Sequence, residues 1–504
     1  MPTQCNSKAA PNSTRRGPRR GTRRPPFVSA APAEPGVTYL DFSALGPRQV
    51  IGSFDGGDIA SDGGALLLRQ VEQLTGVIRQ FAAGFTDHRD PRLIEHSVED
   101  LIAQRVYALA LGYEDLNDHD DLRHDPLLAT VVGKLDPLGD SRRRPADRGH
   151  SLAGKSTLNR IELTPPGADA NHPYKKVAGS THQVDDLFVE LFLQAHSRPP
   201  ASIVLDLDAT DDPTHGNQLG RFFHGYYRAY CYLPLYIFSG DHLLCSKLRS
   251  SDIDGAAGAL KQLQRIVGRI RRAWPNVAIT IRGDSGFCRE PLMTWCEGND
   301  VDDIFGLAKN SRLVGAIVEP MARAKAEHER TGLAARQFAE LTYRTLDSGS
   351  RERRVVAKAE HLSGGSNPRF VVTSVPANRR EARALYEEDY GARGEMENRI
   401  KEQPLHLFAD RTSCQTMRAN QIRLYFSSVA YVLLEALRRL GLSGTKMAEA
   451  QCQTIRLKLL KIGALVRVTV RKVWGHLASS CPSAELFRQV HARLLGLSPP
   501  ALAT

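Results

Sequence analysis

The stretch IVLDLDATDDPTHGNQ, residues 203–218, leads from apolar residues into Asp206, Asp208, Asp211 and Asp212. A second apolar run, AITIRGDSGF, carries Asp284 just past its end, and a third acid, Glu397, lies in YGARGEMENRIKEQ. In α/β sheets with parallel strands, sites gather at the carboxyl ends of the strands. Three ionised carboxylates within a few Å repel one another. They persist together only around a divalent cation or with some of them protonated. Oxygen ligands without a His/Cys cage point to Mg²⁺ or Mn²⁺ rather than zinc. Two such ions, about 3.5–4 Å apart, clamp the attacking and leaving oxygens of a phosphodiester exchange. The bland alternative is that each Asp caps a turn. It loses ground because two strand ends and a basic helix agree. Asp208 is the first choice of metal ligand because it stands at the strand's end. Asp206 shares its strand face and is the reserve; Asp211 and Asp212 belong to the turn.

The helix of Glu397 has its own arithmetic. Arg393, Glu397 and Lys401 are spaced four apart, and Tyr390 lies three before Arg393. At about 100° per residue these four share one face, whereas Glu395 lies about 200° away from Glu397. The cations are either a surface salt-bridge ladder or, beside a metal site, a grip on phosphate. Gly391 and Gly394 weaken the first turn.

These residues need elements to position them. The chain has 504 residues, 41% hydrophobic and 24% charged, with a net charge of +11. That is a globular composition, long enough for several domains, with a basic balance that favours a polyanion such as nucleic acid. Residues 1–37 hold Lys8, Arg15, Arg16, Arg19, Arg20, Arg23 and Arg24 against Glu34 alone. They read as a disordered basic arm that binds DNA through phosphates. Residues 38–195 read as a mostly helical N-terminal DNA-binding region. From residue 196 strands take over: ASIVLDLDAT, the long aromatic GRFFHGYYRAYCYLPLYIFSG and HLLCSKLRS, then a helix striped by Leu260, Leu263, Ile266, Val267 and Ile270, then VAITIRGD, a short helix and DDIFGLAKN. Three strands in a meander followed by helix, strand, helix, strand is the order of a ribonuclease H-like α/β core. Its first part spans 196–311 and its second 386–440, with a β-rich insertion over 312–385 and a C-terminal region over 441–504. In that topology the first and fourth strands are neighbours, so Asp208 and Asp284 would face each other. LVRVTVRKV reads as a half-buried strand alternating Val466, Val468 and Val470 with basic residues.

The eight cysteines form no C-x-x-C pair, so neither a zinc ribbon nor a redox dithiol is expected. There is no apolar N-terminal signal region, and the longest charge-free apolar stretch, LYFSSVAYVLL, is too short to span a bilayer. GHSLAGKS, Gly149–Ser156, matches a P-loop pattern, but the preceding GDSRRRPADR cannot be the buried strand that a P-loop needs. Ser156 or Thr157 is expected to cap a helix there instead. YEDLNDHDDLRHDP reads as a helix end and acidic turn rather than a metal site.

LDLDATDD, RGDSGF and YGARGEMENRIKEQ together resemble the three catalytic segments of DDE transposases of bacterial insertion sequences. The likeness is to the subgroup with a β-rich insert before the Glu, the insertion-sequence thirteen-eighty group, and covers most of residues 50–480. It implies a transposase that binds the terminal inverted repeats of its element, with a triad of Asp208, Asp284 and Glu397 and two Mg²⁺ or Mn²⁺ ions. Tyr390 and Arg393 would match signature residues that touch DNA near the cleavage site. Lys401 departs from the wider signature, which places its lysine farther along, where Pro404 stands here. That group also keeps an acid at the position of Asp206. The resemblance further implies cleavage by water, joining of a freed 3′-OH to target DNA, a dimer in the complex with double-stranded DNA, and a cytoplasmic, nucleoid-associated protein. The alternative is a catalytically silent DNA-binding protein of the same descent.

Overall fold

A computed structural model of the chain describes residues 38–346 and 349–497. The basic arm, with its six arginines, lies outside the described residues. Of the described residues, those from 38 to Gly57 belong to a unit of their own, in which Tyr39–Leu45 pairs antiparallel with Arg48–Ser53. This stretch opens the region 38–195 that reads as mostly helical. Its alternation of apolar and polar residues across a turn at Gly46, with φ +60°, favours a hairpin instead.

The second unit, from Asp58 onward, is built on a mixed sheet of nine strands. We label them β1 (Ser202–Ala209), β2 (Leu235–Ser239), β3 (His242–Lys247), β4 (Ala278–Gly283), β5 (Asp302–Leu307), β6 (Ala335–Tyr343), β7 (Arg353–Leu362), β8 (Gly365–Ser366) and β9 (Arg369–Thr373). The order across the sheet is β3-β2-β1-β4-β5-β9-β7-β6, with β8 on β7. β1, β4 and β5 run parallel; β2 and β3 form the antiparallel meander at one side. Strands β6 to β9, in the segment read as an insertion, continue the same sheet: β9 pairs with β5.

Period-two alternation decides what each face of β1 meets. Leu205 and Leu207 join Ile237, Ile279 and Ile281 against α1 (Ala259–Ala273). α1 buries Leu263, Ile266, Val267 and Ile270 there, each contributing roughly 1.5–3 kcal/mol. Asp206 and Asp208 point to the opposite face, with Tyr236 and Phe238 of β2. That face is covered by α2 (Arg393–Leu407) and α3 (Met417–Leu437); Phe238 meets Tyr431 of α3 edge-on at 5.8 Å. Thr416 caps α3 by accepting from Ala419 N–H.

The helices before residue 195 share α3's core. Arg423 of α3 reaches the buried Glu162 at 2.7 Å, and Tyr425 donates to Asp185 at 2.5 Å. The helix holding Glu162 starts at Lys155, one residue before the expected cap, with Gly154 as its N-cap and no side-chain cap. Asp120 accepts from Lys155 N–H and pairs with its ammonium at 3.0 Å, and no strand leads into the P-loop-like stretch: residues 133–154 hold none. In the acidic turn, His119 is buried beside Gln104, and burial pushes its imidazole down to about 3.

Two strands are shorter than their sequence pattern. Ala464–Val468 stops before Val470, because Thr469 closes a turn by accepting from and donating to Lys472. The long aromatic stretch breaks into Phe222–His224, Ala229–Tyr232 and β2: it turns first where Arg228, at φ 55°, donates its N–H to the His224 carbonyl, and again at Pro234, which offers no N–H to a ladder.

Asp303, fully buried in β5, is pushed up to about 7 by burial. Its folded value lies above its unfolded one, so its contribution to stability is full below about pH 4 and is lost as pH rises through about 7. Asp303→Asn therefore raises the melting temperature by a few degrees at pH 8 and has little effect at pH 4. Thermal melts at the two pH values check this; equal shifts at both would contradict it.

Candidate active site

Parallel pairing of β1 with β4 sets Asp206 opposite Arg282 and Leu207 opposite Gly283. The same register carried one residue on brings Asp284 beside Asp208. Both side chains are held locally: Asp208 accepts from Ala209 N–H at 2.9 Å, and Asp284 from Gly286 N–H at 2.8 Å. Burial pushes the Asp208 carboxyl up to about 7, opposed by Arg393 and reinforced by the negative charges of Asp284 and Glu397. The other two acids named from the sequence thus both act on Asp208, and all three act on the guanidinium of Arg393.

α2 brings in the third. Met396, Ile400, Gln403 and Leu407 form its buried stripe, which pins the helix and leaves Glu397 partly exposed beside it. Pro404 sits inside the helix, which ends at Phe408 in the left-handed region at φ 61°. Arg393 Nη2 donates to Glu397 Oε1 at 2.5 Å. Burial works against the Arg393 charge, but Asp208, Glu397, Tyr390 and Asp284 together raise its pKa. Lys401, one turn beyond Glu397, is exposed.

Tyr390 does not share the helix of Arg393 as the spacing suggested. It ends a π-helical turn, Leu385–Tyr390, and Gly391 and Ala392 intervene. It reaches the site from the side: a Cβ on Gly306 of β5 would stand 2.6 Å from Tyr390 Oη and 3.0 Å from Ser285 N. Glycine at 306 is what lets the phenol approach the sheet. Burial raises the Tyr390 pKa, against Arg393 and with Asp284.

Asp206, the reserve candidate, is otherwise engaged. Arg282 grips it with two prongs, Nε to Oδ1 at 2.5 Å and Nη2 to Oδ2 at 2.7 Å. Arg282 Nη1 also donates to the carbonyl of Asp389, next to Tyr390. Sequence reasoning missed Arg282 as a partner. Arg282 stands two before Asp284 just as Asp206 stands two before Asp208, but only the register of β1 on β4 turns that equal offset into a contact. Asp212, assigned to the turn, is buried in the short strand Asp212–Pro213, and burial pushes its carboxyl up to about 8.

The donor chemistry of Asp208, Asp284 and Glu397 suits a hard divalent cation, whose charge would relieve the repulsion that burial sharpens. As placed, Glu397 is turned onto Arg393. Among the described residues no three His, Cys, Asp or Glu side chains are drawn together into a metal cage. No helix among them is long and apolar enough to cross a membrane.

Among the solved structures that the chain resembles is the cryo-EM structure of a piggyBac transposase synaptic complex with hairpin DNA. The identity is 12% and the TM-score 0.37, covering 79% of this chain and 80% of that one. No curated protein matches. The family described as transposase DDE domain group 1 matches residues 42–499. With nearly the whole chain so matched, this protein belongs to the DDE-domain transposases.

Proposed function

We propose that the protein binds the terminal inverted repeats of its element and cuts and joins DNA strands there, using Asp208, Asp284 and Glu397 as ligands to two Mg²⁺ or Mn²⁺ ions on a ribonuclease H-like core. The observation that carries this reading is the pairing of β1 with β4, which gives Asp208 and Asp284 a common strand edge under the helix of Glu397. Bound ions would lower the cost of charge on the attacking and leaving oxygens. The residues of the chain do the rest. Arg393, now paired with Glu397, is free to turn to a phosphate once that carboxylate is otherwise engaged. Tyr390, braced over Gly306, holds the DNA backbone in register, and exposed Lys401 extends the cationic track along α2. Alignment of this kind supplies most of the catalysis in phosphoryl exchange. The partners are double-stranded element ends and target DNA, in a dimeric complex, in the cytoplasm and nucleoid. The arginines of the arm, Arg15, Arg16, Arg19, Arg20, Arg23 and Arg24, add phosphate contacts with little sequence preference.

The test is incubation of the full chain with labelled DNA from either side of its gene, in Mg²⁺. Cutting at the boundary of a short inverted repeat is the expected result. Binding to that DNA without any cutting, in Mg²⁺ and in Mn²⁺, would instead identify a silent DNA-binding relative.

A further inference from the structure

Between β1 and β2 the chain makes a small three-stranded sheet from Asp212–Pro213, Phe222–His224 and Ala229–Tyr232. Its base is fixed: Leu219 N–H donates to Gln415 O, and Ser251 Oγ bridges the backbone of Phe222. Its aromatic side chains are not covered. Phe222 is 43% exposed, Phe223 57%, Tyr226 84% and Tyr230 51%. Single exposed aromatics need no explanation, but four on one short hairpin do. The rings touch one another: Phe223 meets Tyr230 at 5.6 Å, and Tyr226 meets Tyr227 at 5.0 Å. Arg221 lies over the Tyr230 ring at 4.5 Å. No acid occurs between Asp212 and Asp241, while Arg221 and Arg228 do.

The hairpin adjoins the site. Tyr227 Oη donates to the carbonyl of Ala209, the residue after Asp208, at 3.3 Å. The same phenol lies within electrostatic reach of Asp208 and Asp284.

We propose that this aromatic hairpin is a stacking platform for unpaired bases of a DNA strand at the active site. The claim rests on the transposase reading for its location, and on the hairpin alone for its chemistry. Stacked bases inside a duplex show no free π-face, so a protruding aromatic tip finds partners only where bases are unpaired. Such stacking tolerates any sequence, and neighbouring arginines add phosphate contacts and cation–π attraction. The acid-free stretch has the charge that a nucleic acid strand requires and an acidic protein surface shares with it; the flat rings favour bases.

The experiment uses the full chain in EDTA, so that nothing is cut. Fluorescence anisotropy compares a labelled duplex ending in a short run of unpaired thymines with the same duplex fully paired. Wild type is expected to bind the frayed duplex about tenfold more tightly. Phe223→Ala combined with Tyr226→Ala should bring both affinities to the paired value, and Phe223→Trp with Tyr226→Phe should keep the preference. Equal affinities in wild type, or a preference that survives the alanine pair, overturns the proposal. So does sedimentation velocity in which the alanine pair dissociates a dimer while the preference persists, since the tip is then a self-association face. If wild type never cuts element-end DNA in Mg²⁺, the transposase reading fails, and the preference measured in EDTA still decides the hairpin separately.

Discussion

Asp208→Asn, Asp284→Asn and Glu397→Gln each lower Mg²⁺-dependent strand cleavage by about a thousandfold or more, while the affinity for element-end DNA stays close to wild type. Each change keeps shape and removes one charge from a site built of three. The effect on stability separates this role from a structural one. Burial, with Asp284 and Glu397, holds the Asp208 carboxyl at about 7 in the metal-free protein. A folded value above the unfolded one means that the group's stabilising contribution is complete below about pH 4 and disappears as pH rises through about 7. Asp208→Asn is therefore expected to melt higher than wild type at pH 8 without metal, and equally at pH 4. A carboxylate kept for the fold would instead melt lower when changed. Gel assays of cleavage and calorimetry on the same preparations check both halves. Retained cleavage in all three variants would remove the triad.

Some of this arrangement is readable from residue order alone. An acid that ends an apolar run marks a strand end, and a Glu four residues from two cations marks a helix face. The adjacency of β1 and β4 needed only the order of elements. What could not be read depends on register and on local breaks. Arg282 and Asp206 meet because one strand lies beside the other in a particular alignment, and residue types alone carry no register. Tyr390 left the helix of Arg393 because a π-helical turn ends at it and Gly391 follows. The aromatic stretch after Gly220 looked like one long strand because aromatic residues favour strands; their exposure, which separates a binding tip from a core, is a tertiary property. The helices before residue 195 carry few signs of where they dock. Glu162 and Arg423 find each other across 261 positions, and only the folded chain brings them together.

Arg282→Lys cuts cleavage by about 10–100-fold while DNA affinity stays near wild type. Arg282 joins two things that must not move apart: the carboxylate of Asp206 on β1 and the carbonyl of Asp389, ahead of the turn that leads into α2. A lysine keeps the charge but has no rigid fork to hold both at once. The turn before α2 loosens, and Tyr390, Arg393 and Glu397 lose their position relative to Asp208. Arg282→Gln is more severe, because it leaves a buried carboxylate without its partner, a loss of about 3–5 kcal/mol in such pairs. The combination Asp206→Leu with Arg282→Met removes both charges, and restores the melting temperature toward wild type because an apolar pair fills the same space. It does not restore cleavage, since neither side chain reaches the Asp389 carbonyl. Melting temperature and cleavage rate measured on the three variants test the point. Cleavage that returns with stability would make the pair purely structural. Loss of cleavage in Asp206→Asn with full cleavage in Asp208→Asn would transfer the metal-binding role to Asp206, whose two-pronged bond to Arg282 argues against it.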